Sequence, residues 1–293
     1  MSTIKTRKPR SKLRMWFWVV LLSMIPITYF VSRWISNTSI PPLIDQTNQR
    51  IQKLRVALTE ARRSSDQSVD SYQPKIKGNI NQLDTSARKI LRRLPGITRV
   101  DWKPTVEKPT HRIIHILDAH YVPLESIQKD IEQQVSRTLT RDEMQALSEA
   151  LVLEAEIVQT RQKTMLRCLQ SFHQLHSVFV GGVAPERVNQ FEKNLKDLND
   201  RVGLARVGAV GQLAIRGELK ALACEDARLL NSENSRKRSK ALRERREDAI
   251  VKALLTHPVS IIFLSATHDL SNNLRRIEPR CEYLRVKLRG PPL

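Results

Sequence analysis

The chain has 293 residues, with 50 Lys and Arg against 30 Asp and Glu, and a formal net charge of +20 at pH 7. Aromatic residues make up only 5%, and no RNA- or DNA-binding motif accompanies the charge, so no nucleic-acid partner is expected. Cys168, Cys224 and Cys281 are too few and too widely spaced for a disulfide scaffold and match no metal-binding spacing; at least one is expected to be a buried free thiol.

Residues 1–44 contain no acid, and Asp45 is the first. Six basic residues from Lys5 to Arg14 precede Met15 to Ser32, an uncharged run of 18 residues. A helix of about 20 residues crosses a hydrocarbon core of roughly 30 Å. Extended to Ile35, the run has Trp16, Trp18, Tyr29 and Trp34 near its ends, where amphipathic rings favour the headgroup level. A cleaved signal peptide shares the basic start. Its apolar region is usually about 7–15 residues, however, and no small-x-small site follows here. We therefore expect a basic cytoplasmic tail at 1–14 and a signal-anchor transmembrane helix at 15–35, with the bulk of the chain extracytoplasmic. Seven of the positive charges fall in the first 44 residues, leaving 13 of the 20 for the exported part. Such a surplus suits an anionic polymer or lipid.

Beyond the anchor, Ile44, Ile51, Leu54 and Leu58 predict an amphipathic helix. Ile80, Leu83, Ala87, Ile90 and Leu91 predict a second, ended by Pro95-Gly96. With Pro104 and Pro109 following, residues 36–109 are expected to form a helical stalk and linker. The remainder, 110–293, is long enough for one hydrophobic core. In it, strand candidates at His111–Leu117, Val178–Val183, Val259–Leu264 and Tyr283–Leu288 alternate with helical patterns at 126–139, 141–176, 186–202, 221–230 and 237–255. The segment 203–217 fits neither pattern clearly. Apolar strands separated by helices predict an α/β domain with a mostly parallel sheet flanked by helices.

Two strand candidates end in the same chemical vocabulary. The first runs into Asp118-Ala119-His120, with His115 just before it; a later one runs into Ser265-Ala266-Thr267-His268-Asp269. Ligands of open α/β sheets bind outside the carboxyl ends of the strands. His120, His268, Asp118 and Asp269 are therefore the candidate ligands for a divalent metal or haem, because imidazole offers a neutral nitrogen and a carboxylate can ligate or orient it. His115 cannot share a face with His120 in an extended chain and is the weaker candidate. Arg236–Arg246 holds seven basic residues, but with Glu233, Glu244 and Glu247 alongside it reads first as a solvated helix face. There is no P-loop, G-x-S-x-G, H-E-x-x-H or C-x-x-C motif.

The order HRIIHILDAHYVP, EAEIVQTRQKTMLRCLQ, VFVGGV, ERREDAIVKALL, SIIFLSATHDL resembles the ChaN/TIKI/TraB superfamily, which includes the erythromycin-esterase-like proteins. The resemblance covers about 110–293 and is nearest to the haem-uptake lipoproteins of the ChaN kind. It implies an α/β fold that binds metal or haem at its strand ends, with hydrolysis of peptide or ester bonds as the associated chemistry. By position, His120 matches the family's first-strand His and His268 its late one. Arg246, or less strongly Arg245, matches a helix Arg able to clamp an anion. The chain departs from the pattern at Leu117 and Ser265, where glycine is expected, and at Gly181, where a Glu should follow the VFV strand. The lost carboxylate points to a degenerate hydrolase. The alternative is a non-catalytic envelope protein that binds anionic polymer, lipid or a protein partner.

Overall fold

A computed structural model describes residues 43–66, 79–81, 83, 86–102, 108–118, 121–183, 200–234 and 239–291. The expected transmembrane segment at 15–35 and all but the last three residues of the helix expected at 186–202 lie outside these residues. No helix among the described residues is long and apolar enough to cross a membrane.

In chain order the elements are α1 (Leu43–Asp66), α2 (Ser86–Arg93), β1 (Ile97–Trp102), β2 (His111–Asp118), α3 (Leu124–Val135), α4 (Arg141–His173), β3 (Ser177–Val180), α5 (Arg201–Ile215), β4 (Lys220–Ala223), α6 (Ala227–Asn234), α7 (Lys240–Leu254), β5 (Val259–Ser265), α8 (Ser271–Ile277) and β6 (Cys281–Leu288). The six strands form one sheet in the order β1-β6-β2-β5-β3-β4. β1 runs antiparallel to β6, and every other pairing is parallel. The protein is thus α/β, with a mostly parallel sheet flanked by helices.

The central strands read as continuous apolar runs because both of their faces are covered. In β2, Ile114 and Ile116 join a core under α2, α4 and α5, whereas Ile113 joins a second core under α7 and α8. β5 divides in the same way, with Ile261 and Phe263 on the first face and Ile262 and Leu264 on the second. The long helix α4 begins with a reciprocal cap. The Thr140 hydroxyl accepts from the Glu143 N–H, and the Glu143 carboxylate accepts from the Thr140 N–H.

The region expected to be a stalk and linker is, in its described parts, built into this body. Leu54, Ala57 and Leu58 of α1 pack against Ala150, Leu153 and Ile157 of α4. Ile80, Ala87, Ile90, Leu91 and Val100 belong to the main core, and β1 is an edge strand of the sheet. The physical anchor is Arg112, which is fully buried. Its Nε donates to Glu282 at 2.5 Å and its Nη1 to the Ile80 carbonyl at 2.9 Å, so a paired charge pins residue 80 beneath the sheet. A domain boundary at 110 is corrected accordingly, because Ile80, Ala87, Ile90, Leu91, Leu94 and Val100 are buried in the same core.

Two further expectations change. Residues 220–223 form β4, in register with β3 from Ser177↔Lys220 to Val180↔Ala223, where a helix was expected from 221. The segment 203–217 is mostly helix, α5, broken at Gly208 with φ 75° and ψ 177°. Only glycine adopts that conformation readily. Buried side-chain amides satisfy carbonyls just before the break: Gln212 donates to the Leu204 carbonyl at 2.8 Å and Gln159 to the Ala205 carbonyl at 2.6 Å.

Candidate functional site

The chain leaves β2 towards β3 on one side of the sheet, and leaves β5 towards β6 on the other. β2 and β5 are neighbours, in register from Arg112↔Val259 to Asp118↔Ser265. Their carboxyl ends therefore flank a topological switch point, the place where open α/β sheets take ligands. The two strand ends singled out in the sequence are side by side.

Their side chains, however, are drawn apart. Asp118 accepts a 3.1 Å hydrogen bond from Gln162 of α4, on the first face of the sheet. His268 is buried on the opposite face, its Nδ1 3.1 Å from Glu247 Oε1 of α7. Asp269 accepts the Ser271 N–H at 3.1 Å at the start of α8, and its other oxygen lies 3.9 Å from Arg285. His120 lies outside the described residues. Among the described residues no three His, Cys, Asp or Glu side chains are placed to hold a metal ion. Among the described residues, Asp118, His268 and Asp269 are each engaged by a different neighbour and do not converge on one point.

His115 lies fully buried within the sheet. Its Nε2 is 3.0 Å from the Leu264 carbonyl, which can only accept, so Nε2 carries the proton. Nδ1 then accepts from the Tyr283 hydroxyl at 2.6 Å. Burial, above all, pushes the imidazole down to about 4, and the charges of Arg285 and His268 act in the same direction. Tyr283 is pushed up by burial. This pair is neutral at pH 7 and locks β2 to β6. The three cysteines are free and buried, and burial raises each thiol, Cys168 to about 11.

No family model, no curated protein and no solved structure matches the chain. Its site can be built only from its own residues.

The most complete polar constellation involves two carboxylates that the sequence did not single out. Glu225, just past β4, is buried and receives Arg246 of α7 through two hydrogen bonds, 2.7 Å from Nε and 2.6 Å from Nη2. Its Oε1 also accepts the Gly182 N–H at 3.0 Å. A carboxylate from the end of the neighbouring strand β4 thus stands beside the turn that follows β3. A side chain at Gly181 would place its Cβ 2.4 Å from Leu264 Cδ1, in the packed core. Arg246 clamps an anion, but an internal one, and Arg245 is exposed. Beside Arg246 on α7, Glu247 is gripped at 3.0 Å by Arg243, one turn earlier, and meets His268. Arg243 also donates to the Thr267 carbonyl, which ties down the loop after β5.

A signal for Glu247 was present in the sequence. Glu247, Ile250, Val251 and Leu254 follow i, i+3, i+4, i+7 spacing, which places the carboxylate on the buried face of α7. Nothing local linked Glu225 to Arg246, 21 residues away.

Proposed function

We propose that the chain is a membrane-tethered, extracytoplasmic protein related to the ChaN/TIKI/TraB group, and that it works as a non-catalytic binder of an anionic partner. What supports this reading is the fate of the buried acids. Glu143, Glu225, Glu247 and Glu282 are the buried carboxylates among the described residues. Each is committed to a cation: Arg137, Arg246, Arg243 and Arg112, respectively. Acids used in this way hold the scaffold in neutral pairs, and the chain keeps its surplus of 50 Lys and Arg over 30 Asp and Glu.

The test is association of the full-length protein with an anionic polymer at low and high salt. Binding should weaken steeply as salt rises, because exposed charges are screened beyond roughly 8–10 Å. It should also persist in a His120→Ala/His268→Ala variant. Salt-insensitive association, or none, overturns the reading.

One observation favours a second reading, that of metal or haem binding: the adjacency of Asp118 and Ser265 at the switch point. Metal analysis and haem titration of wild type beside the same double variant decide it. Ligand bound by wild type and lost from the variant would establish that site.

A further inference from the structure

We propose that the face formed by the end of α1, the middle of α4 and α5 is a docking surface for a linear polyanion carrying closely spaced phosphate groups, held by Arg62, Lys163, Arg167, Arg201 and Arg216. This rests on the binding reading above and adds to it a place and a chemistry.

Among the described residues, four of the five cations approach two carboxylates between them, and the fifth, Lys163, bonds an amide oxygen. Glu156 of α4 pairs with Arg201 at 2.6 Å and has Arg62 at 3.7 Å. Eleven residues further along α4, Arg167 pairs with Glu218 at 3.1 Å, while Arg216 stands 3.8 Å from the same carboxylate. Residues 156 to 167 span about 17 Å of helix at 1.5 Å per residue. At each end one guanidinium has taken the carboxylate and the second is beyond hydrogen-bond reach. The under-used forks, Arg62 and Arg216, are 64% and 58% exposed. Exposed Arg–Glu pairs contribute little net stability, so a ligand can recruit the paired arginines readily.

Lys163 sits between the two ends, half-buried, with its ammonium 2.8 Å from Gln212 Oε1. Burial holds its pKa below the ordinary lysine value, and the charges of Arg216 and Arg167 push it down further. A bound anion relieves that second cause. Arginine forks match phosphate oxygens two at a time, and lysine adds a point charge between them. A row of alternating forks and charge along a helix fits a chain of phosphates better than a single anion.

A polymer is preferred to lipid headgroups because of position. Arg62 lies about 29 Å along α1 from Leu43, the described residue nearest in sequence to the expected membrane helix. A bilayer's surface field fades within a Debye length of about 8 Å.

The experiment uses the full chain in neutral detergent, with linear inorganic polyphosphate as one probe and phosphatidylglycerol vesicles as the other. Wild type should bind polyphosphate, with a log–log salt slope of roughly 2–3 for three or four neutralised phosphates. A K163Q/R167Q/R216Q variant should weaken binding at least tenfold, while K129Q/K252Q/R275Q, which removes as many charges elsewhere, should change it less than twofold. An R62Q/R216Q variant touches only exposed forks, keeps the core intact and should lose at least threefold, so the test survives if the triple variant fails to fold. Equal losses from the stripe and control variants overturn the stripe and leave the anionic-partner reading standing. Binding to vesicles but not to polyphosphate overturns the polymer. Binding to neither overturns both readings.

Discussion

Glu225 and Arg246 meet through a two-pronged buried ion pair whose carboxylate also accepts the Gly182 N–H, so the ends of β3 and β4 are fastened to α7 at one point. Removing one partner leaves the other charged and desolvated. Arg246→Met alone, or Glu225→Leu alone, should cost about 3–5 kcal/mol, whereas the double substitution should cost clearly less than the two together. Urea unfolding of the four proteins measures this, and simple additivity would show that the two residues act independently.

His115 makes stability depend on pH in a defined window. Its folded value near 4 lies below the ordinary 6.5, so the native state binds fewer protons than the unfolded chain. The contribution is complete above about pH 6.5 and is lost as pH falls towards 4, at most about 3 kcal/mol at 1.36 kcal/mol per unit. Glu143, lowered to about 2 chiefly by its bond from Arg137, has an ordinary value near 4.5. Its contribution is lost lower down, between about 4.5 and 2. His115→Phe should flatten the upper window and leave the lower one, as read from urea midpoints between pH 7 and 3. An unchanged slope between pH 6.5 and 4 would remove His115 as the cause.

At Gly208 the backbone needs φ 75° with ψ 177°, and a Cβ would meet nothing within 4 Å. Gly208→Ala should therefore cost about 1–3 kcal/mol through the backbone alone. Gly290→Ala, also in open space, should be near neutral in the same thermal melts. Equal midpoints for the two variants would mean that α5 relaxes its break without penalty.

Arg112 should matter for the early part of the chain out of proportion to its position. Arg112→Leu leaves Glu282 and the Ile80 carbonyl without this donor and should destabilise by about 3–5 kcal/mol. Limited proteolysis should then cut first within 79–94. Cleavage elsewhere, with 79–94 still protected, would show that His173, whose Nδ1 accepts the Ile80 N–H at 3.4 Å, holds the segment without Arg112.

The main strands were legible because burial on both faces writes itself into the sequence, as in HRIIHIL and VSIIFL. β1, ITRVDW, was not, because it is an edge strand with Thr98 and Arg99 exposed, and it is followed by prolines that suggest a linker. β4, KALA, consists of helix-favouring residues and becomes a strand only through its register with β3. At the site, the shared chemistry of the two strand ends followed from the sequence. Their separation onto opposite faces did not, because it depends on Gln162 and Glu247, residues of two helices remote in sequence from both strand ends.

Building residues 79–102 into the core also sets how far the protein can act from a bilayer. A free stalk of some 70 residues could carry a domain well over 100 Å outward. If 15–35 is a membrane helix, only about seven residues join it to α1, a leash no longer than about 25 Å when fully extended. The body would then patrol a thin layer against the membrane. Within that layer, confinement raises the effective concentration of any similarly tethered polymer, so even a weak single contact could be kept.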